Sequence, residues 1–405
     1  MASYSNRARR SPRLVVATIV LVFLAGGLTG ALLDHVLADR ASSGSPSATR
    51  STNDTSSTSG VPTTTAATTS TTMAPVLSVT SVTPANGAQA VAPNAPITVT
   101  LSAALSQGSP LPVLSPMTPG SWHANGASLT FTPSTDFVPM SEVKLTLPGG
   151  PAGILGEAGG HLAQSVSEHF QVANGSVVRL QQLLSLLDYS PLKWVSSGAP
   201  ISPTDSGAET AALYKPPAGT FAWRQRGWPV RLLAMWEPGI DNVFTRGLIM
   251  SFQADHEITP NGVISASLWA SMLAALFSNT VNTGGYNYAL ANKTTPESLT
   301  IYHDGAVVVT TPANTGIGAS PTPDGTFPVF ERLRQQVMRG TNPNGDRYAD
   351  LVQYIAYFHA NDAVHYMDRA DYGIPQSLGC IELPLASAAR VWPYLAYGTL
   401  VTIIN

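Results

Sequence analysis

The sequence predicts a multidomain chain with an N-terminal transmembrane helix, a β-sandwich, a small α-helical domain and a β-rich C-terminal domain. Three observations predict it. An uncharged apolar run over 14–33 follows four arginines. Apolar residues alternate with polar ones between about 97 and 147, and again beyond 297, as in half-buried strands. Between those regions leucines recur at helical spacing.

The first element rests on charge and length. Arg7, Arg9, Arg10 and Arg13 precede Leu14–Leu33. Twenty residues at helical rise cross a bilayer, and basic residues before the span keep 1–13 in the cytoplasm. The remainder then lies outside, in the cell envelope. Val36-Leu37-Ala38 offers a cleavage site, so secretion after signal removal is the alternative to a retained single-pass anchor. No cysteine follows the span closely, which excludes a lipoprotein anchor. Residues 34–74 read as a linker, since 41–73 are mostly Ser, Thr, Ala and Gly and lack the apolar surface to fold. As a coil that stretch spans on the order of 30 Å, and extended about 100 Å.

Residues 75–172 form the second element. Ile97, Val99 and Leu101 alternate with threonines, as do Leu129 with Phe131 and Val143 with Leu145 and Leu147, between Pro- and Gly-rich turns. Residues 176–290 form the third. Leu180, Leu183, Leu184 and Leu187 share one helical face; Leu268, Met272 and Leu276 share another, with Trp269 and Leu273 alongside. In the fourth, 297–405, strands are expected over Leu299–Ile301, Ala306–Val309, Phe327–Phe330, Leu351–Phe358, Ala363–Tyr366 and Thr399–Ile404. One helix, from about Leu385 to Leu395, interrupts them, which suggests an antiparallel β-rich domain.

Composition narrows the function. Charged residues are 11% and the net charge is −3, so nothing favours nucleic-acid binding. The histidines show no zinc spacing, and no phosphate loop or dinucleotide fingerprint is present. A single cysteine, Cys380, excludes an internal disulfide. In an exported protein a lone thiol is either a small buried hydrophobe or a nucleophile.

Cys380 lies in Ser377-Leu378-Gly379-Cys380-Ile381-Glu382-Leu383, fifteen positions after His365. A histidine can take the thiol's proton, and adjacent strands in a sheet would join the two. Backbone N–H groups at Gly379 and Cys380 could form an oxyanion hole, with Ser377 part of the same motif. His359 is a rival base. Alternation sets Val364 opposite His365, which leaves His365 free to face a site. Tyr357 and Tyr366 are candidate substrate contacts.

Residues 297–405 resemble the L,D-transpeptidase catalytic domain, the YkuD type. The resemblance is carried by Thr322-Pro323-Asp324-Gly325-Thr326-Phe327, then His365, then the cysteine motif. Three positions depart from the family pattern: Leu378 replaces a second histidine, Glu382 stands where arginine is frequent, and Tyr366 stands where glycine or serine is usual. Val82-Thr83-Pro84-Ala85-Asn86-Gly87 resembles the opening of bacterial immunoglobulin-like modules. Val178–Leu187 and Phe244–Leu273 resemble a peptidoglycan-binding module, interrupted by some fifty residues that the compact module lacks. The catalytic resemblance implies attack of Cys380 on a peptidoglycan stem peptide, release of D-alanine and cross-linking through a thioester. It implies no metal or organic cofactor, and it implies carbapenem β-lactams as covalent inhibitors. An L,D-carboxypeptidase, an enzyme attaching proteins to the wall, and a non-catalytic wall-binding protein remain as alternatives.

Overall fold

The computed structural model describes residues 76–405. The expected membrane helix over 14–33 and the linker over 34–74 lie outside the described residues. No helix among the described residues is long and apolar enough to cross a membrane.

The first unit contains β1 (Val79–Thr83), β2 (Ala88–Val91), β3 (Ile97–Leu101), β4 (Val113–Ser115), β5 (Gly120–Asn125), β6 (Ser128–Pro133), β7 (Glu142–Leu147) and β8 (Val166–Val172). They form two four-stranded sheets, ordered β1-β3-β6-β5 and β2-β8-β7-β4. The sequence's alternation is the sandwich's inside and outside. Ile97, Val99 and Leu101 are buried between partly exposed threonines, and Val143, Leu145 and Leu147 face them from the other sheet in one core.

The second unit begins with α1 (Val177–Leu186), capped by Ser176, whose side chain accepts from the Arg179 N–H. Then come β9 (Leu192–Ser196), α2 (Ser206–Ala212), β10 (Gly219–Trp223), α3 (Val230–Leu233), α4 (Val243–Asp255) and α5 (Ala266–Ser278). The leucine stripe of α1 packs with Phe252 of α4 and Trp269 of α5. The inserted fifty residues are folded: β9 and β10 pair in a two-stranded sheet. Arg179 and Glu209 form a buried ion pair between α1 and α2.

The third unit holds β11 (Asn287–Asn292), β12 (Ser298–His303), β13 (Ala306–Pro312), β14 (Gly325–Pro328), β15 (Glu331–Thr341), β16 (Arg347–His359), β17 (Asp362–Tyr366), β18 (Ile381–Leu383), α6 (Leu385–Val391) and β19 (Leu400–Ile404). One sheet runs β13-β12-β11-β19-β14 and the other β15-β16-β17-β18, with an apolar core between them. The expected strands are present, and Asp304-Gly305 turns β12 into β13 with positive φ at both residues.

Three features differ from the sequence expectation. The sheets are mixed rather than antiparallel: β11 pairs β19 in parallel and β17 pairs β18 in parallel. The fold of this unit starts at β11, upstream of residue 297. That strand is covered on both faces, with Tyr288 in the helical core and Ala289 and Ala291 in the inter-sheet core, so it shows no alternation. Finally, β15 pairs the whole outer length of β16 although most of its residues are polar and exposed.

Candidate active site

Cys380 sits immediately before β18, and His365 lies on β17. The parallel register pairs Val364 with Ile381, His365 with Glu382 and Tyr366 with Leu383. Val364, Ile381 and Leu383 enter the inter-sheet core. Alternation therefore turns His365, Cys380 and Glu382 to the opposite face of the same strand pair. Ring and thiol occupy diagonal positions on adjacent strands, a spacing of about 7–8 Å between backbones that side chains can bridge.

The turn holding the thiol is braced from several sides. Ser377 Oγ donates to the Cys380 carbonyl at 2.6 Å and accepts the Gly379 N–H at 3.2 Å. Ser320 Oγ donates to the Leu378 carbonyl at 2.8 Å. The Thr322 hydroxyl, from the Thr-Pro-x-Gly-Thr turn, accepts the Gly316 N–H at 2.8 Å and reaches the Cys380 carbonyl at 3.4 Å. Below them Glu297, buried, accepts the Thr315 N–H at 2.6 Å and its hydroxyl at 2.8 Å. Gly379 has φ +124, and a Cβ there would meet Asp362 Oδ1 at 2.2 Å, so glycine is required.

His365 is 3% exposed. Its Nδ1 lies 2.9 Å from the Tyr366 carbonyl, an acceptor that requires the proton on Nδ1 and leaves Nε2 as the basic nitrogen. Burial lowers its pKa below the usual histidine value, against the opposing pulls of that carbonyl and of Glu382. Cys380 is half-buried, and its Sγ lies 3.9 Å from the Asn361 carbonyl. Burial pushes the thiol up to about 12; the Ala363 N–H works against that shift, and the Asp362 and Glu382 carboxylates add to it. The thiol thus lies beside the β16–β17 turn, in surroundings that disfavour the thiolate.

The other anticipated residues separate. Of the two N–H groups anticipated for an oxyanion hole, that of Gly379 donates to Ser377 Oγ, so Ser377 and Gly379 brace the turn. The Tyr366 ring, assigned to substrate, packs against the inter-sheet core, because it shares the face of Val364; its contribution to the site is its carbonyl. Tyr357 pairs with Ala363 across the ladder, donates to Gln336 Oε1 at 2.8 Å, and has its pKa raised by burial and then by Cys380. His359 is bonded at 3.1 Å to Asp362 and packs at a tilt against the Phe327 ring.

Sequence reasoning missed Tyr348, whose pKa is raised by burial and then by Cys380, and Arg369, which forks onto Glu382. Neither belongs to a motif, so only the fold brings them in. Among the described residues no cluster of His, Cys, Asp and Glu could hold a metal ion.

Two family models match parts of the sequence. Residues 286–403 match the family model of the L,D-transpeptidase catalytic domain, and residues 71–172 match that of a bacterial Ig-like domain. Among solved structures, the L,D-transpeptidase LdtMt1 in complex with imipenem is 16% identical and covers 82% of this chain and 100% of its own, with a TM-score of 0.28. An L,D-transpeptidase from Mycobacterium smegmatis is 14% identical, covering 82% of this chain and 100% of its own, at a TM-score of 0.28. The catalytic domain of the E. faecium L,D-transpeptidase is 25% identical, covering 30% of this chain and 100% of its own, at a TM-score of 0.27. No curated protein matches the sequence. The chain thus carries an L,D-transpeptidase catalytic domain of the YkuD family over residues 286–403, behind a bacterial Ig-like domain over residues 71–172.

Proposed function

We propose that the protein is a peptidoglycan L,D-transpeptidase that cross-links stem peptides through a thioester on Cys380. The observation that carries the proposal is the shared face of β17 and β18, where His365 and Cys380 stand diagonally with the imidazole oriented by the Tyr366 carbonyl. His365 Nε2 takes the proton of the Cys380 thiol. The sulfur then bonds to the carbonyl between the third stem residue and D-alanine, and the Cys380 N–H stabilises the oxyanion. The imidazolium returns its proton to the departing amine and D-alanine leaves. An amine from a second stem peptide then attacks the thioester, completing the cross-link and restoring the thiol. Water in place of that amine would give a carboxypeptidase. A strained β-lactam carbonyl offers the same electrophile, so carbapenems are proposed to acylate Cys380. The arginines before the apolar run at 14–33 support a site held outside the membrane.

A second reading, a wall-binding protein without turnover, draws on the resting thiol, bonded to Asn361 and pushed up to about 12. Incubating the full chain and a Cys380→Ala variant with a disaccharide-tetrapeptide, with products read by mass spectrometry, decides between them. A dimer formed only by the parent supports transpeptidation. A tripeptide alone indicates hydrolysis, and no product from either supports the second reading.

A further inference from the structure

Glu382 is an unusual neighbour for a nucleophilic thiol. It is two residues from Cys380 on the same face of β18 and is the ladder partner of His365. Its backbone is fixed on both sides by Asn314, whose carbonyl accepts the Glu382 N–H at 2.9 Å and whose N–H donates to the Glu382 carbonyl at 2.9 Å. The residue is only 4% exposed, so its carboxylate cannot turn away into solvent. A bare carboxylate there would oppose formation of a thiolate and favour protonation of the imidazole.

Arg369 meets that charge. From the loop between β17 and β18 its Nε donates to Oε2 at 2.8 Å and its Nη2 to Oε1 at 2.7 Å, a bidentate fork. The remaining charged and titratable groups near the thiol and the imidazole are Asp362 from β17, and Tyr348 and Tyr357 from β16. Asp350 of β16 and Tyr372 also act on Arg369, and Tyr372 feels Glu382 as well. Arg369 is thus the cation paired with the one carboxylate that acts on both His365 and Cys380.

We propose that Arg369 is a positioning residue of this site, whose guanidinium cancels the charge of Glu382 beside the His365–Cys380 pair so that a thiolate can form there. The proposal rests on the transpeptidase reading for its consequence in turnover, but not for its electrostatics. A uniform loss of packing would make both single substitutions harmful and the double worse. Charge cancellation gives opposite signs. In Arg369→Met the uncovered carboxylate holds the thiol protonated, and in Glu382→Gln the uncovered guanidinium favours the thiolate. With both replaced the field is again near zero.

Because Cys380 is the only cysteine in the sequence, alkylation of the full chain by iodoacetamide, followed by intact mass across a pH series, reads this thiol alone. At a fixed pH below the thiol's midpoint, Arg369→Met is expected to alkylate roughly fiftyfold more slowly, for a charge about 7 Å away at an effective dielectric near 20. Glu382→Gln is expected to alkylate faster by a comparable factor, roughly fiftyfold by the same arithmetic, so that the double variant returns within about threefold of the parent. In turnover the acid limb of kcat/KM should move to higher pH in Arg369→Met and back in the double. Parent-like alkylation in Arg369→Met, or a double variant no faster than that single one, would overturn the proposal. If Arg369→Met fails to fold, a Glu382→Gln rate at or below the parent's overturns it instead. Absence of cross-linked product from the parent would defeat the transpeptidase reading while leaving the alkylation contrast as a test of this one.

Discussion

Replacing Gly379 by alanine isolates how the nucleophile's turn is held. At φ +124 an L side chain is strained, which costs about 1–3 kcal/mol. The new Cβ also lies 2.2 Å from Asp362 Oδ1 and 3.0 Å from its Cγ, so the carboxylate must move. Moving it disturbs the 3.1 Å contact with His359 and repacks the β16–β17 turn, a further cost of about 1–3 kcal/mol. Gly379→Ala is therefore expected to lower unfolding stability by about 2–6 kcal/mol. Asp362→Ala removes the overlap and leaves the backbone strain. Against an Asp362→Ala background the same glycine substitution should cost only about 1–3 kcal/mol. Urea unfolding of the four proteins, monitored by tryptophan fluorescence, measures both numbers. A Gly379→Ala protein within about 0.5 kcal/mol of the parent, or equal costs in the two backgrounds, would refute the reasoning.

Further outcomes follow from the same geometry. His365→Gln should lower kcat by about 10²–10⁴ with little change in binding, measured by product formation. In the parent, burial lowers the His365 pKa, so the base stays unprotonated below pH 6.5 and the acid limb of kcat/KM should lie below the value of a free histidine. The same shift has a stability sign: as pH falls below about 6.5 the unfolded chain takes up the proton first, so this histidine's contribution is lost from there down through its lowered folded pKa. Glu209→Ala strands the buried Arg179 guanidinium and should cost about 3–5 kcal/mol in chemical denaturation without changing alkylation of Cys380. Ser377→Ala leaves the Gly379 N–H and the Cys380 carbonyl short of a partner and should cost about 1–3 kcal/mol, read in the same unfolding assay, along with a loss of turnover.

The parts of the fold that could be read from the sequence are those buried on one face. Ile97, Val99 and Leu101 alternate because their threonine neighbours point away from the sandwich core, and the stripe of α1 works the same way. Elements with two covered faces or none gave no such signal. Tyr288 and Ala289 point to opposite cores, and β15 is held by its backbone ladder with β16 more than by any apolar side chain. The site divides along similar lines. Cys380 and His365 were legible because their chemistry resides in side chains that few other functions require. The Tyr366 carbonyl was not, since a backbone acceptor leaves no mark on residue identity; its side chain suggested a substrate contact that the strand's own alternation denies. Arg369 was hidden because thirteen residues separate it from Glu382 and only the return from β17 to β18 closes that distance.

The claim that Cys380 is an acylated nucleophile is tested most directly by rapid quench of the full chain with excess disaccharide-tetrapeptide, followed by acidic proteolysis and mass spectrometry. The account predicts a peptide containing Cys380 that carries the disaccharide-tripeptide acyl group, sensitive to hydroxylamine and absent from Cys380→Ala. A time course in which cross-linked product accumulates while Cys380 stays unmodified would contradict it.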